Sequence, residues 1–253
     1  MVSEVMLQQT NTGRVMERFE RFVTKFPTPA VCAAAPLAEL LVEWQGMGYP
    51  RRCRNLHLAA QVIAGSHGGS VPRDLDALLA LPGVGPYTAR AVLAFAFGDD
   101  AAVVDTNIAR VLARHGGVSL TARVAQAMAD DLLPAGLAWE WNQVLMDFGA
   151  TVCTARSPKC GVCPLAGTCV YKGVGDDPAK ASAFTSKPQA RFEGSDRQAR
   201  GRLMKRLGDG DVSRADAVGV MKVDDARADR LVGDLLSEGL VQETKGWLRL
   251  PTH

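Results

Sequence analysis

Leu81-Pro82-Gly83-Val84-Gly85-Pro86-Tyr87-Thr88-Ala89-Arg90 is the stretch around which the chain is organised. An amphipathic run, 74–80, leads into it, and a helix-forming run, 88–97, leads out. Gly83 and Gly85 are spaced for a tight hairpin that turns two helices back on each other. Glycine suits such a turn because it tolerates positive φ and has no Cβ to hold a bulky partner off the backbone. The amides of the turn and of the next helix's first residues then point outward. Donors gathered at a helix N-terminus bind an anion, and a DNA phosphate fits. Alone, the motif favours the reading of an ordinary interhelical turn. Features on either side of it decide.

The 253 residues are 47% hydrophobic and 22% charged, enough for one large or two smaller domains. Net charge is only +2, so affinity for nucleic acid has to come from local patches. There is no apolar run of membrane-spanning length and no signal peptide. The expectation is a cytoplasmic protein with no membrane partner, acting as a monomer.

Ser3 to Thr10 reads as helix from the start. Apolar residues at Val15, Met16, Phe19, Phe22 and Val23 mark an amphipathic helix over 15–26, which Pro27 and Pro29 end. Helices follow at 37–44 and 52–65, the latter opening with the basic cluster Arg51, Arg52, Arg54. Beyond the hairpin, 105–114, 121–133 and 139–148 read as helices, with Asp105 near the start of the first. Strand patterns are almost absent to this point, so the fold class is mainly α. Residues 173–195 lack periodicity and read as a linker between a domain over 1–172 and a smaller one over 196–253. Helices at 196–207, 213–221 and 225–238, then a hairpin turning at Lys245-Gly246, suggest a winged helix. Lys187, Arg191, Arg197, Arg200, Arg202, Lys205 and Arg206 make its entry basic, which is either a nucleic-acid patch or a solvated face.

Four of the six cysteines are crowded into Cys153-x6-Cys160-x2-Cys163-x5-Cys169. In a reducing cytosol that crowding points to a metal site. Zinc sites more often use two short pairs with a longer gap between them. One C-x2-C with two longer arms suits a [4Fe–4S] cluster, with structural zinc as the competitor. Arg156 and Lys159 on the same loop offer charge to a phosphate. Cys32 and Cys53 fall in helical patterns and read as small buried residues.

A glycine hairpin, an aspartate about 20 residues on, and this cysteine spacing together resemble the helix-hairpin-helix DNA glycosylases of the iron–sulfur branch. Within it, Ser3-Glu-Val-Met-Leu-Gln-Gln-Thr10, Gly46-Met-Gly-Tyr49, Arg54-Asn-Leu-His57 and Val104-Asp-Thr-Asn107 resemble the MutY-type adenine DNA glycosylases. The resemblance covers residues 1–171. It implies removal of adenine mispaired with 8-oxoguanine or guanine in double-stranded DNA, the adenine being flipped into a pocket, in a nucleoid-associated enzyme.

Breaking an N-glycosidic bond requires a less basic leaving group and a stabilised oxocarbenium ion. By resemblance, Glu4 is the acid that protonates adenine at N7, its pKa raised by burial beside Val5 and Leu7. Asp105 is the carboxylate that stabilises the cation or bonds to it. Read without the family, Glu4 is a first-turn glutamate and Asp105 an N-cap. Tyr87 stands where endonuclease III-type relatives carry a nucleophilic lysine; tyrosine forms no imine, so a monofunctional glycosylase is expected. Tyr87 would bond near Asp105. Gln9 matches a wedge at the lesion pair and Tyr49 an aromatic inserted beside 8-oxoguanine. Leu7 and Gln143 match the adenine pocket, and Asn107 a polar neighbour of Asp105. Gly83 and Gly85 face the DNA backbone, and Cys153, Cys160, Cys163 and Cys169 hold the cluster.

Two departures accompany the resemblance. Family members usually carry a further segment before the Glu4 motif, and commonly end in a larger Nudix-like domain. Here the motif stands at the start and only a short tail follows. The alternatives are a thymine-DNA mismatch glycosylase of the same branch, which shares the tyrosine, or a non-catalytic iron–sulfur DNA-binding protein.

Overall fold

The computed structural model describes residues 1–184 and 191–252. It is mainly helical, and among the described residues no strand precedes Val212. No helix among them is long and apolar enough to cross a membrane. Contacts divide the chain into two compact units. One holds Met1–Pro72, Ala80–Gly83 and Gln189–His253; the other holds Arg73–Leu79 and Val84–Pro188.

The first unit begins with helices Val2–Leu7 and Thr12–Lys25, the latter capped by Asn11, whose side chain accepts from the Gly13 amide at 2.9 Å. Pro29 does more than end a helix: it opens another, Pro29–Ala34, with Thr28 accepting from the Val31 amide at 3.2 Å. A proline at the first helical position has no amide to waste. Helices Leu37–Glu43 and Arg51–Ser66 follow. Phe22 packs edge-on against Trp44 at 5.9 Å and against Phe26 at 5.0 Å. Cys32 and Cys53 are buried there, and burial pushes the Cys32 thiol up to about 11.

The tail does not stand apart as chain order suggests. Leu203, Leu207, Leu231, Leu235 and Leu248 share one core with Phe22, Leu37, Leu40, Leu41 and Trp44. The Ala38 amide donates to the Pro251 carbonyl at 2.8 Å. Apolar faces on the short N-terminal helices need this cover. The tail consists of helices Asp196–Gly208, Ala217–Met221 and Asp225–Ser237 and a three-stranded antiparallel sheet. Its strands are β1 (Val212–Ser213), β2 (Gln242–Thr244) and β3 (Trp247–Arg249), in the order β1-β3-β2. Lys245 and Gly246 both have positive φ, +51° and +79°, as a two-residue hairpin of matching twist requires. Ser213, expected in a helix, pairs with Trp247 in β1 instead. A strand of two residues leaves no periodicity to read.

Part of the basic entry is engaged within the unit. Arg191 pairs with Glu193 and Arg200 with Glu238, while Arg202 and Arg206 bond the carbonyls of Met221 and Gly210. Lys187 lies outside the described residues.

The second unit holds Leu75–Leu79 and Pro86–Val92, the two helices of the hairpin, the second running into a π-helical turn, Leu93–Phe97. Helices Thr106–Gly116, Ala122–Leu132 and Ala138–Thr151 follow. Val104, Ile108, Leu112, Leu120, Ala125 and Ala129 form their core. The stretch 173–184, expected as linker, is tied down. Its Asp177 pairs with Arg114 at 2.7 Å, both side chains nearly fully buried (6% and 3% exposed). Ser182 accepts from the Leu120 amide at 3.0 Å, and the Ala183 amide donates to the Leu120 carbonyl at 2.7 Å. Polar residues that read as solvated are spent on buried partners.

Candidate active site and metal centre

The hairpin glycines differ. Gly83 has φ +75°, and a Cβ there would stand 2.6 Å from Asn55 Cβ. Only glycine fits on both counts. Gly85 has φ −98° and open space where a Cβ would be, so the fold does not demand glycine there. It is the N-cap of Pro86–Val92 with no side chain over the first amides. Tyr87, in that first turn, is half-buried.

In the first unit, Glu4 is half-buried between Ser3 and buried Val5. Leu7, expected to bury it, is itself 37% exposed. Gln9 is exposed and has φ +55°; Tyr49 is half-buried and has φ +46°. Non-glycine residues in the left-handed region are uncommon and persist where the surroundings hold them. The holder is Arg52, which the sequence showed only as part of a basic cluster. Its guanidinium donates to the carbonyls of Val5 (2.8 Å), Met6 (3.0 Å) and Gln8, to Thr10 Oγ1 (2.9 Å) and to the carbonyls of Met47 (3.1 Å) and Gly48 (3.3 Å). It closes the C-terminus of Val2–Leu7 and ties the Gln9 loop to the Tyr49 loop. Its charge is thereby spent on carbonyls, and a basic run in sequence gives no sign of that.

In the second unit, Asp105 caps Thr106–Gly116, accepting from the Ile108 amide at 2.7 Å and from Asn107 Nδ2 at 2.9 Å. Desolvation pushes its carboxyl above the ordinary value, and those hydrogen bonds only partly oppose the shift. The N-cap reading and the candidate catalytic role thus describe one and the same carboxylate. Arg110 Nη2 donates to Asn107 Oδ1 at 2.8 Å, and its Nε to the Cys153 carbonyl at 2.8 Å. A bonded chain therefore runs from Asp105 through Asn107 and Arg110 to the first cysteine. Gly149 makes it possible: a Cβ there would meet Asn107 Cβ at 2.7 Å. Gln143 sits half-buried on Ala138–Thr151. Beside it, Asn142 is fully buried; it accepts from the Val103 amide at 3.0 Å and donates to the Ala101 carbonyl at 2.9 Å, fixing the strand-like run that delivers Asp105. Neither Arg110 nor Asn142 is legible in the sequence, since their backbone partners, 39 to 43 residues away, leave no local pattern.

Cys153, Cys160, Cys163 and Cys169 line one cavity, walled by Val111, Phe148 and Leu165 among others. Among the described residues no three histidine, cysteine or acidic side chains are placed to hold a single ion. Sulfurs spread around a cavity suit a polynuclear core better than one zinc ion, whose bonds of about 2.3 Å draw its thiolates to a point. Arg114 stands at Cys153 Sγ (3.5 Å) and bonds the carbonyls of Thr154 (2.7 Å) and Ala155 (3.0 Å). A buried cation beside thiolates that carry negative charge favours a sulfur-ligated cluster. Arg156 and Lys159 are exposed on this loop.

Comparison with known proteins agrees with these features. Residues 2–133 match the HhH-GPD superfamily of base excision DNA repair proteins, and residues 153–169 match the iron–sulfur binding domain of endonuclease III. An adenine DNA glycosylase of Mycolicibacterium smegmatis is 44% identical over 96% of this chain and 84% of its own. A thermostable thymine-DNA glycosylase structure superposes with a TM-score of 0.65 at 34% identity, covering 68% of this chain and 82% of that one. A non-covalent endonuclease III–DNA complex does so at 0.62 and 31%, with the same coverage. The chain belongs to the HhH-GPD superfamily of base excision DNA repair proteins, in its MutY-type branch, and is a DNA N-glycosylase with a [4Fe–4S] cluster.

Proposed function

We propose that this enzyme hydrolyses the N-glycosidic bond of adenine mispaired with 8-oxoguanine or guanine, without cutting the strand. The observation that carries the reading is the likeness to a mycobacterial adenine DNA glycosylase through 96% of the chain, tail included. The thymine-DNA glycosylase structure is 34% identical, against 44% for the mycobacterial enzyme. Glu4 protonates the flipped adenine at N7, which turns the base into a neutral leaving group. Asp105, held by Ile108 and Asn107, faces the developing oxocarbenium ion at C1′ and stabilises it by charge or by a transient bond. Water then adds to C1′ and gives up a proton to the carboxylate that Glu4 has become, leaving an abasic site. Tyr87 bonds near Asp105, helps hold the cation and forms no Schiff base. Gln9 and Tyr49 enter the duplex at the mispair, Leu7, Asn107 and Gln143 contribute to the base pocket, and the hairpin amides at Gly83 and Gly85 take a phosphate. When bound, the cluster folds the loop 153–169 through its four thiolates.

The test is single-turnover excision, with an alkali step to reveal abasic sites. Duplexes carry A opposite 8-oxoguanine, A opposite G, T opposite G, and A opposite T. Adenine release fastest opposite 8-oxoguanine, with no strand break before alkali, is expected. Thymine release from T:G supports the second reading, which the thymine-DNA glycosylase fold favours. Binding without release from any duplex overturns the catalytic assignment.

A further inference from the structure

We propose that Arg197, from the C-terminal tail, is a positioning residue for Tyr49 and through it sets the preference for the base opposite the excised adenine. Arg197 lies outside both stretches matched to known families, 2–133 and 153–169. Its Nη1 donates to the Tyr49 hydroxyl at 3.1 Å, across 148 residues of sequence. The Tyr49 backbone is already pinned. Gly46 and Gly48 turn the chain with φ +84° and +71°, Trp44 Nε1 donates to the Gly48 carbonyl at 3.1 Å, and Arg52 holds the Met47 and Gly48 carbonyls. The Arg52 guanidinium also lies over the Tyr49 ring, 5.5 Å from its centroid. These restraints fix where the ring begins; the bond from Arg197 fixes where it ends.

Arg197 is itself built in. It sits in the first turn of Asp196–Gly208, which Ser195 caps by accepting from the Gln198 amide at 3.3 Å. The neighbouring Asp196 accepts from Arg227 at 2.8 Å and Arg230 at 2.7 Å, which anchors that turn to Asp225–Ser237. The Arg197 guanidinium also stacks near the Phe192 ring, 5.9 Å from its centroid. An aromatic held in one orientation before binding loses less freedom when it inserts, so affinity and selectivity both gain. The tail would thereby act on lesion recognition without touching the lesion.

This proposal rests on the reading that Tyr49 inserts beside 8-oxoguanine. The test measures binding to duplexes with an uncleavable 2′-fluoroadenosine opposite 8-oxoguanine or guanine. The proteins are wild type, Arg197→Met, Tyr49→Phe, the double variant and Arg197→Lys, with unfolding temperatures checked to match. Arg197→Met should lower the preference for 8-oxoguanine roughly three- to tenfold. Tyr49→Phe should do the same, the double variant should lose no more than either, and Arg197→Lys should recover part. Multiplying losses in the double variant overturn the proposal. So does an equal loss on every duplex with a shallower salt dependence, which would make Arg197 a plain phosphate contact. A wild-type preference that Arg197→Met leaves intact overturns this role alone. A wild-type chain with no preference for 8-oxoguanine overturns the substrate reading, and this role with it.

Discussion

Replacing Asp177 by asparagine isolates one charge in the segment behind the cluster loop. Asp177 and Arg114 are 6% and 3% exposed, so their ion pair is buried. Removing one member of such a pair leaves an uncompensated buried charge and typically costs about 3–5 kcal/mol. Arg114 keeps its bonds to the Thr154 and Ala155 carbonyls, and an asparagine can still accept from the Ala179 amide as Asp177 does at 3.1 Å. The low end, about 3 kcal/mol, is therefore expected. For a chain of this size that is a fall in Tm of roughly 6–12 °C. Thermal unfolding, followed by circular dichroism and by the visible absorbance of the cluster, reads it. Because Arg114 bonds the backbone beside Cys153, the cluster should be lost at lower temperature as well. The carboxyl is held below its ordinary 3.8 by Arg114, so its stabilisation is complete above that pH and fades as pH falls below it. The variant lacks that dependence. A Tm change under about 2 °C with unchanged cluster content would refute the reasoning, because a buried pair cannot be halved so cheaply.

Asp105→Asn keeps the N-cap, as asparagine caps as well as aspartate, yet should abolish excision. The folded carboxyl lies above its ordinary value, so its stability contribution is present below that value and lost as pH rises through the folded one. At neutral pH removing the desolvated charge favours folding, while the amide NH2 that replaces Oδ2 loses the bond from Asn107, so Tm should change little; excision of adenine is the deciding readout, and an Asp105→Asn enzyme that still excises at the wild-type rate excludes the role. Glu4→Gln should remove excision while leaving DNA affinity intact, measured on the A:8-oxoguanine duplex; residual full activity excludes Glu4 as the acid. Gly83→Ala should destabilise by roughly 2–4 kcal/mol, through its left-handed φ and the Asn55 clash. Gly85→Ala should cost roughly 0.5–1 kcal/mol in stability, alanine being the poorer N-cap, well below the cost at Gly83, and should also lower DNA affinity.

The helical class, the hairpin, the four cluster cysteines and the helices around them were legible in the sequence. Each is encoded locally: a period near 3.6, a cap, a glycine pair, a spacing of thiols. Asp105 at its helix start was legible for the same reason. The tail was legible as three helices and a hairpin, but not as part of the N-terminal core, since apolar patterning shows which face is buried and not against what. Residues 173–184 read as linker because composition cannot tell a solvated aspartate from one closed on a buried arginine. Arg52, Arg110, Asn142 and Arg197 do their work through groups 39 to 148 residues away or on backbone carbonyls that have no sequence signature. The sequence by itself determined the helices, the glycine turn between two of them and the crowding of four cysteines that points to a cluster, because short-range sterics and ligand chemistry suffice for those. The tertiary structure alone decided which arginines bind backbone instead of facing DNA, how Tyr49 is held, and that the tail completes the first unit's core, because those outcomes depend on which distant surfaces meet.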